Sequence, residues 1–188
     1  CGWQRVNRHF TNEKRLSSIN FLNLQVLTSE LNFSVCISTN RQTEIDNIVS
    51  NINRQTWNKF NLYLYLENYE KHFKEQLISK LRKDIKVYVF DCPNQISLGE
   101  RYNDCILRSK NDVFVKMDDD DIYGDSYLEE MAFSLNEYDH KLIGKKTIWV
   151  VDWKEGEIFL RLNGFEFKET DFIAGPTICT PIKYAKEI

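Results

Sequence analysis

The stretch VFVKMDDDDIYGDSYLEE, residues 113–130, sets the frame for the rest of the chain. A short run rich in β-branched and aromatic residues ends on four successive acids, Asp118, Asp119, Asp120 and Asp121, and a helical pattern follows. In extended backbone alternate side chains share a face, so Asp118 and Asp120 are expected to point one way and Asp119 and Asp121 the other. Carboxylates that close repel strongly in a partly desolvated cleft, and a hard divalent cation held by oxygen ligands relieves the repulsion. Mg2+ or Mn2+ suits such donors. The bland alternative is a solvated acidic turn feeding a helix, with Ser126 and Glu129 at capping-box spacing and acids favoured at a helix N-terminus.

The flanking sequence repeats the strand-to-helix theme. FSVCIST (33–39), NLYLYLE (61–67) and IKVYVFD (85–91) read as strands, as does DVFVKM (112–117). Between them Ile45, Ile48, Val49 and Ile52 follow helical spacing, Phe73, Leu77 and Leu81 repeat at four, and Leu128, Met131, Ala132 and Leu135 form another stripe. Alternation of this kind predicts an α/β fold, a mostly parallel sheet with helices on both faces. KKTIWVVDW (145–153) and EIFLRLN (157–163), separated by Lys154-Glu155-Gly156, predict an appended antiparallel hairpin, and FIAGPTICTP offers a last short strand. Ligands bind such sheets at the carboxyl ends of the strands, which is where the acidic run falls, and that position favours a binding role over the bland one.

Composition narrows the field. The chain has 188 residues with 25 Lys+Arg against 28 Asp+Glu, a formal charge of −3, and is 42% hydrophobic, so it has the length and apolar content for one globular domain. No apolar run reaches the roughly 18 residues of a transmembrane helix, and no basic stripe interleaved with aromatics suggests nucleic acid. Five cysteines without CxxC spacing argue against a disulfide framework or a zinc ribbon. The sequence opens on Cys1, which fits a segment of a longer chain. Residues 1–31 read as a linker running into an N-terminal helix through Leu24, Leu27 and Leu31, ahead of a domain over 32–188.

Rival motifs fail on specific residues. Asp119, Asp121, Gly124 and Glu130 occupy positions 1, 3, 6 and 12 of an EF-hand loop, but position 5 is Tyr123 and a strand precedes the loop. A DxDxT phosphatase motif would need Thr where Ile122 stands. The seven glycines give neither GxGxxG nor a P-loop, and neither HExxH nor GxSxG occurs.

Taken together, FSVCISTNRQTEIDNIVSNINRQ, SLGERYNDCI and VKMDDDDIYGDSYLEEM resemble the GT-A nucleotide-sugar glycosyltransferases, specifically the large inverting family 2 of bacteria, over roughly residues 33–180. The resemblance implies a Rossmann-like GT-A fold and a metal-dependent inverting glycosyltransferase, with a nucleoside-diphosphate sugar as donor and a glycan or other hydroxyl as acceptor. Carried over by motif, Thr39, Asn40 and Arg41 would border the nucleotide, and Glu67 or Asn68 would meet the base. Gly99 and Asn103 would match the Gly/Asn segment packed beneath it. Asp118 would contact the ribose, Asp119 would join the nucleotide-sugar site or support the turn with Asp121, and Asp120 would hold the metal, Mn2+ or Mg2+.

Where the family often shows Pro-Thr-Tyr-Asn, this chain reads Ser38-Thr39-Asn40-Arg41, without the proline or the aromatic. The family's catalytic base comes from an acidic motif downstream of the AGPT-like segment, where only Glu187 stands here, so the base is expected beyond the fragment or lost. A non-catalytic module that holds a nucleotide sugar or a partner within a larger protein is the rival. A sugar-nucleotide pyrophosphorylase is weaker for want of a glycine-rich basic loop. Cytoplasmic residence is expected from the location of such donors and the lack of an export signal.

Overall fold

In the computed structural model the described residues are 31–93, 95–137, 141–152, 154–164 and 168–187. The expected N-terminal linker and helix lie outside them apart from Leu31, which packs against the core. The strands are β1 (Phe33–Thr39), β2 (Phe60–Glu67), β3 (Lys86–Cys92), β4 (Val113–Lys116), β5 (Ile148–Asp152), β6 (Glu157–Arg161) and β7 (Cys179–Pro181). The helices are α1 (Ile45–Asn53), α2 (Lys71–Lys80), α3 (Leu98–Arg108), α4 (Tyr127–Glu137) and the short α5 (Ile182–Ala185). The expected strands and helical stripes all recur, with ends shifted by a few residues.

One sheet carries the order β3-β2-β1-β4-β7, with β1, β2, β3 and β4 parallel and β7 antiparallel to β4. Alternation along the strands separates two cores. Val35, Ile37, Leu62, Leu64, Val113, Val115 and Met117 face α1, α2 and α4, packing on Ile48, Ile52, Leu77 and Leu128. Cys36, Tyr63, Tyr65 and Phe114 face the other way, toward Cys105 of α3 and Ile182 of α5. Each large apolar side chain so buried contributes about 1.5–3 kcal/mol relative to exposure, so both layers hold the sheet.

The helical stripes foretold α1, α2 and α4 but not the length of α3. That helix is polar on most of its surface, and it begins at a capping box. Ser97 Oγ accepts the Glu100 amide at 3.3 Å, and Glu100 Oε2 accepts the Ser97 amide at 2.7 Å.

The β5–β6 pair forms a separate two-stranded sheet. Gly156 closes its turn at φ 70°, a conformation open to glycine without steric cost, and its amide donates to Asp152 O at 2.8 Å. Both faces of the hairpin are wet: Trp149 is 69% exposed, and Ile158 and Phe159 are exposed with it.

The chain leaves β1 toward β2 and β3 on one side and returns to place β4 on the other. Sheet order therefore reverses between β1 and β4, which opens a crevice at their carboxyl ends. Thr39 stands at one lip and the four acids at the other.

Candidate functional site

At the end of β1, Thr39 is buried and its hydroxyl donates to Asp119 Oδ2 while accepting the Arg41 amide at 3.0 Å. The Arg41 side chain then turns across the crevice. Its Nε lies 3.1 Å from Asp119 Oδ2, its Nη2 contacts Asp119 Oδ1, and its Nη1 donates to Asp120 Oδ2 at 2.9 Å. The Tyr69 hydroxyl donates to the Arg41 carbonyl at 2.7 Å, fixing the backbone from which the side chain projects.

The acidic turn is not the extended ribbon that strict alternation predicts. β4 ends at Lys116, the Met117 amide still donates to Cys36 O at 3.1 Å, and the chain then bends through 119–121. Asp119 and Asp120, expected on opposite faces, consequently share one guanidinium. Side chains of α1 hold the bend: Asn47 Nδ2 donates to Asp119 O at 2.6 Å and to Asp121 O at 2.9 Å, and Asn51 Nδ2 to Asp121 O at 2.7 Å. The Asp118 amide donates to the Tyr123 hydroxyl, which in turn donates to Pro176 O, both at 2.8 Å. The AGPT segment is thereby joined to the turn.

Charge is apportioned unevenly. Lys116, buried at the end of β4, places its Nζ 2.7 Å from Asp118 Oδ1. The hydrogen bond from Arg41 holds the Asp120 carboxyl below the usual carboxylate range. Burial, aided by the charges of Asp118 and Asp120, pushes Asp121 above it. Four carboxylates against Lys116 and Arg41 leave two negative charges uncompensated, the amount one divalent cation neutralises.

Arg101 of α3 reaches the crevice from the opposite face. Its Nη1 donates to Ser38 Oγ at 3.0 Å, its Nε to Ile96 O at 3.1 Å, and its Nη2 pairs with Glu67 at the end of β2. Glu67 is therefore ion-paired at the strand end and 18% exposed. Asn68 follows in the left-handed region at φ 55°, and its carbonyl accepts Gln42 Nε2 at 3.0 Å.

The structure thus gathers Thr39, Arg41, Asp118, Asp119 and Asp120 at the β1/β4 lips and sets Glu67 beside Ser38. Asn40 is exposed next to Thr39, and Gly99 sits in the first turn of α3. Asn103 stands apart. It lies on the exposed side of α3, opposite the buried Arg101 and Cys105, so the helix does not bring it into the group.

The donor set suits a hard cation of limited protein ligation. Asp120 offers a half-exposed carboxylate, with Asp118 beside it, and Mg2+ and Mn2+ sites commonly combine one or two carboxylates with phosphate and water oxygens. Among the described residues no three His, Cys, Asp or Glu side chains converge into an all-protein cage.

A mostly parallel sheet with its acidic turn at a topological switch point fits the GT-A architecture, and the comparisons agree. Residues 34–181 match the family described as Glycosyl transferase family 2, and the chain belongs to that family. No curated protein sequence matches it significantly.

Among solved structures, residues 1–349 of S. aureus TarS align with TM-score 0.58 and 15% identity, covering 84% of this chain and 49% of that one. The same TarS segment has been solved in complex with UDP-GlcNAc. A mannosyltransferase from Pyrobaculum calidifontis, PcManGT, solved with GDP-Man and Mn2+, aligns with TM-score 0.62 and 11% identity, covering 88% of this chain and 50% of that one. At such identities the likeness is one of fold. The chain spans about half the length of these structures.

No sequence pattern points to Lys116, Arg101 or Tyr69, and Tyr123 stands out only as a mismatch to the EF-hand loop. Two nonetheless left a trace: Lys116 is the one charge inside the apolar run VFVKM, and Arg101 lies one helical turn before the buried Cys105. A lone charge in an apolar pattern needs a partner when buried.

Proposed function

We propose that the chain is the donor-binding part of an inverting, metal-assisted glycosyltransferase that moves a sugar from a nucleoside diphosphate to an acceptor hydroxyl. The observation that carries this reading is the junction of Thr39 and Arg41 with Asp119 and Asp120 across the switch-point crevice, with Asp118 and Glu67 alongside.

In this reading Glu67, turned by Arg101, accepts an N–H of the base with its second oxygen. Asp118, held by Lys116, accepts a ribose hydroxyl. Asp120 anchors the cation, and Asn40 and Gly99 border the nucleotide. A bound Mn2+ or Mg2+ would supply Lewis-acid stabilisation of the charge that grows on the departing diphosphate. The acceptor oxygen bonds to the anomeric carbon as the bond to the diphosphate oxygen breaks on the opposite side, which inverts configuration. The acceptor proton passes to a carboxylate base. Interactions that strengthen as the diphosphate leaves lower the barrier, whereas equal binding of donor and transition state would not. The cytoplasm, where nucleotide sugars are made, is the compartment this reading implies.

The base is not assigned. Antiparallel β7 carries the chain away from the acidic turn, so that the Ile182 amide donates to Asp112 O at the amino end of β4, at 2.8 Å. Glu187 follows at that far end of the sheet and does not serve. The rival reading is a module that binds a nucleotide sugar without turning it over.

Calorimetry with UDP, GDP and CDP in the presence of Mn2+ tests donor binding. Asp120→Ala should abolish the metal-dependent part, and unchanged affinity would remove the role of Asp120. Release of free nucleoside diphosphate from a sugar-nucleotide panel marks an enzyme, whereas a binder gives only a melting shift.

A further inference from the structure

Arg41 divides its guanidinium unequally between two carboxylates. Nε and Nη2 form a fork on Asp119, which is buried, while a single bond from Nη1 reaches Asp120, whose side chain is 52% exposed. The Arg41 backbone is held on both sides, its amide by Thr39 Oγ1 and its carbonyl by the Tyr69 hydroxyl. The fork on Asp119 is thus anchored, and the Nη1 contact is the one that can open without disturbing the rest.

We propose that Arg41 is a tethered counter-ion that covers Asp120 until a divalent cation displaces Nη1, so that this residue sets the metal affinity of the site. The idea rests on the reading of Asp120 as the metal ligand. Both cations compete for the same carboxylate, and by linkage whatever the arginine contact contributes is subtracted from metal binding. Once displaced, Nη1 remains tied to the crevice as a free donor with the planar geometry that suits a phosphate oxygen. Asp119 is the pivot and not a ligand, because its oxygens are taken up by Thr39 and by the fork.

The test is a titration of the full chain with Mn2+ alone, free Mn2+ being counted by electron paramagnetic resonance, with no nucleotide and no turnover involved. Arg41→Gln removes both the contact and the charge and should tighten Mn2+ binding about fivefold to tenfold. Arg41→Lys keeps the charge on Asp119 but cannot span both acids, and should tighten binding about twofold to threefold. Asp120→Asn should lose the site in every background. Thermal melts report folding, and if Arg41→Gln does not fold, the lysine variant decides. Affinity in Arg41→Lys equal to the parent's overturns the proposal, because the field of the charge alone would then account for the glutamine result. Absence of Mn2+ binding in parent and variants alike overturns the metal reading itself, and this inference falls with it.

Discussion

Replacing Arg101 by methionine should be among the most damaging single changes in the sheet's polar edge. The Arg101 side chain is 7% exposed and Glu67 18%, so neither charge has much water to fall back on. Removing the guanidinium leaves Glu67 unpaired and takes a donor from Ser38 Oγ and from Ile96 O. Loss of one partner of a buried pair costs about 3–5 kcal/mol, and the residual exposure of Glu67 places this case near the lower end, about 3 kcal/mol.

In a chain of this size each kcal/mol moves Tm by roughly 2–4 °C, giving a fall of roughly 6–12 °C. Urea unfolding of the parent, Arg101→Met, Glu67→Leu and the double variant completes a cycle. The double variant should recover much of the loss, since an apolar pair of similar volume carries no desolvated charge, and the coupling energy should reach about 2 kcal/mol. A cost below about 1 kcal/mol for Arg101→Met, or no coupling with Glu67, would refute the reading of this pair as a buried, desolvated contact.

Three further changes separate support from ligation and fix the role of the α3 cap. Asp119→Asn puts amide donors against the Arg41 fork in a buried position and should cost about 2 kcal/mol in chemical unfolding, whereas Asp120→Asn, half in water, should stay within about 0.5 kcal/mol. Glu100 is held below its usual value by the Ser97 hydroxyl and amide, so its capping contribution is present above the ordinary glutamate range and is lost as pH falls through the lowered folded value. The Tm difference between the parent and Glu100→Ala should therefore shrink between about pH 5 and pH 3; a difference independent of pH would contradict the capping box.

The amino-acid sequence by itself determined the class of fold and pointed to the turn on which the candidate site is built. Ile45, Ile48 and Ile52 repeat at 3.6 residues and Val35, Ile37, Leu62 and Leu64 at two because each element must turn one apolar face inward, and that requirement is local enough to be written in adjacent residues. The four acids at a strand end were equally plain.

What only the tertiary structure decided are the partnerships. Arg41 meets Asp119 from 78 residues away because β1 pairs with β4, and Arg101 meets Glu67 from 34 because α3 packs over β1 with β2 alongside it. The expected alternation of Asp118 to Asp121 failed because Asn47 and Asn51 of α1 bind the turn's carbonyls and bend it, and Asn103 lies on the exposed side of α3 because that helix buries Arg101 and Cys105 on the other. The antiparallel course of β7, which sends Glu187 to the far end of the sheet, follows from pairing with β4. Periodicity reports how a segment meets its own core, whereas the pairing of distant charges depends on which elements pack together, and no short window of sequence contains that energy.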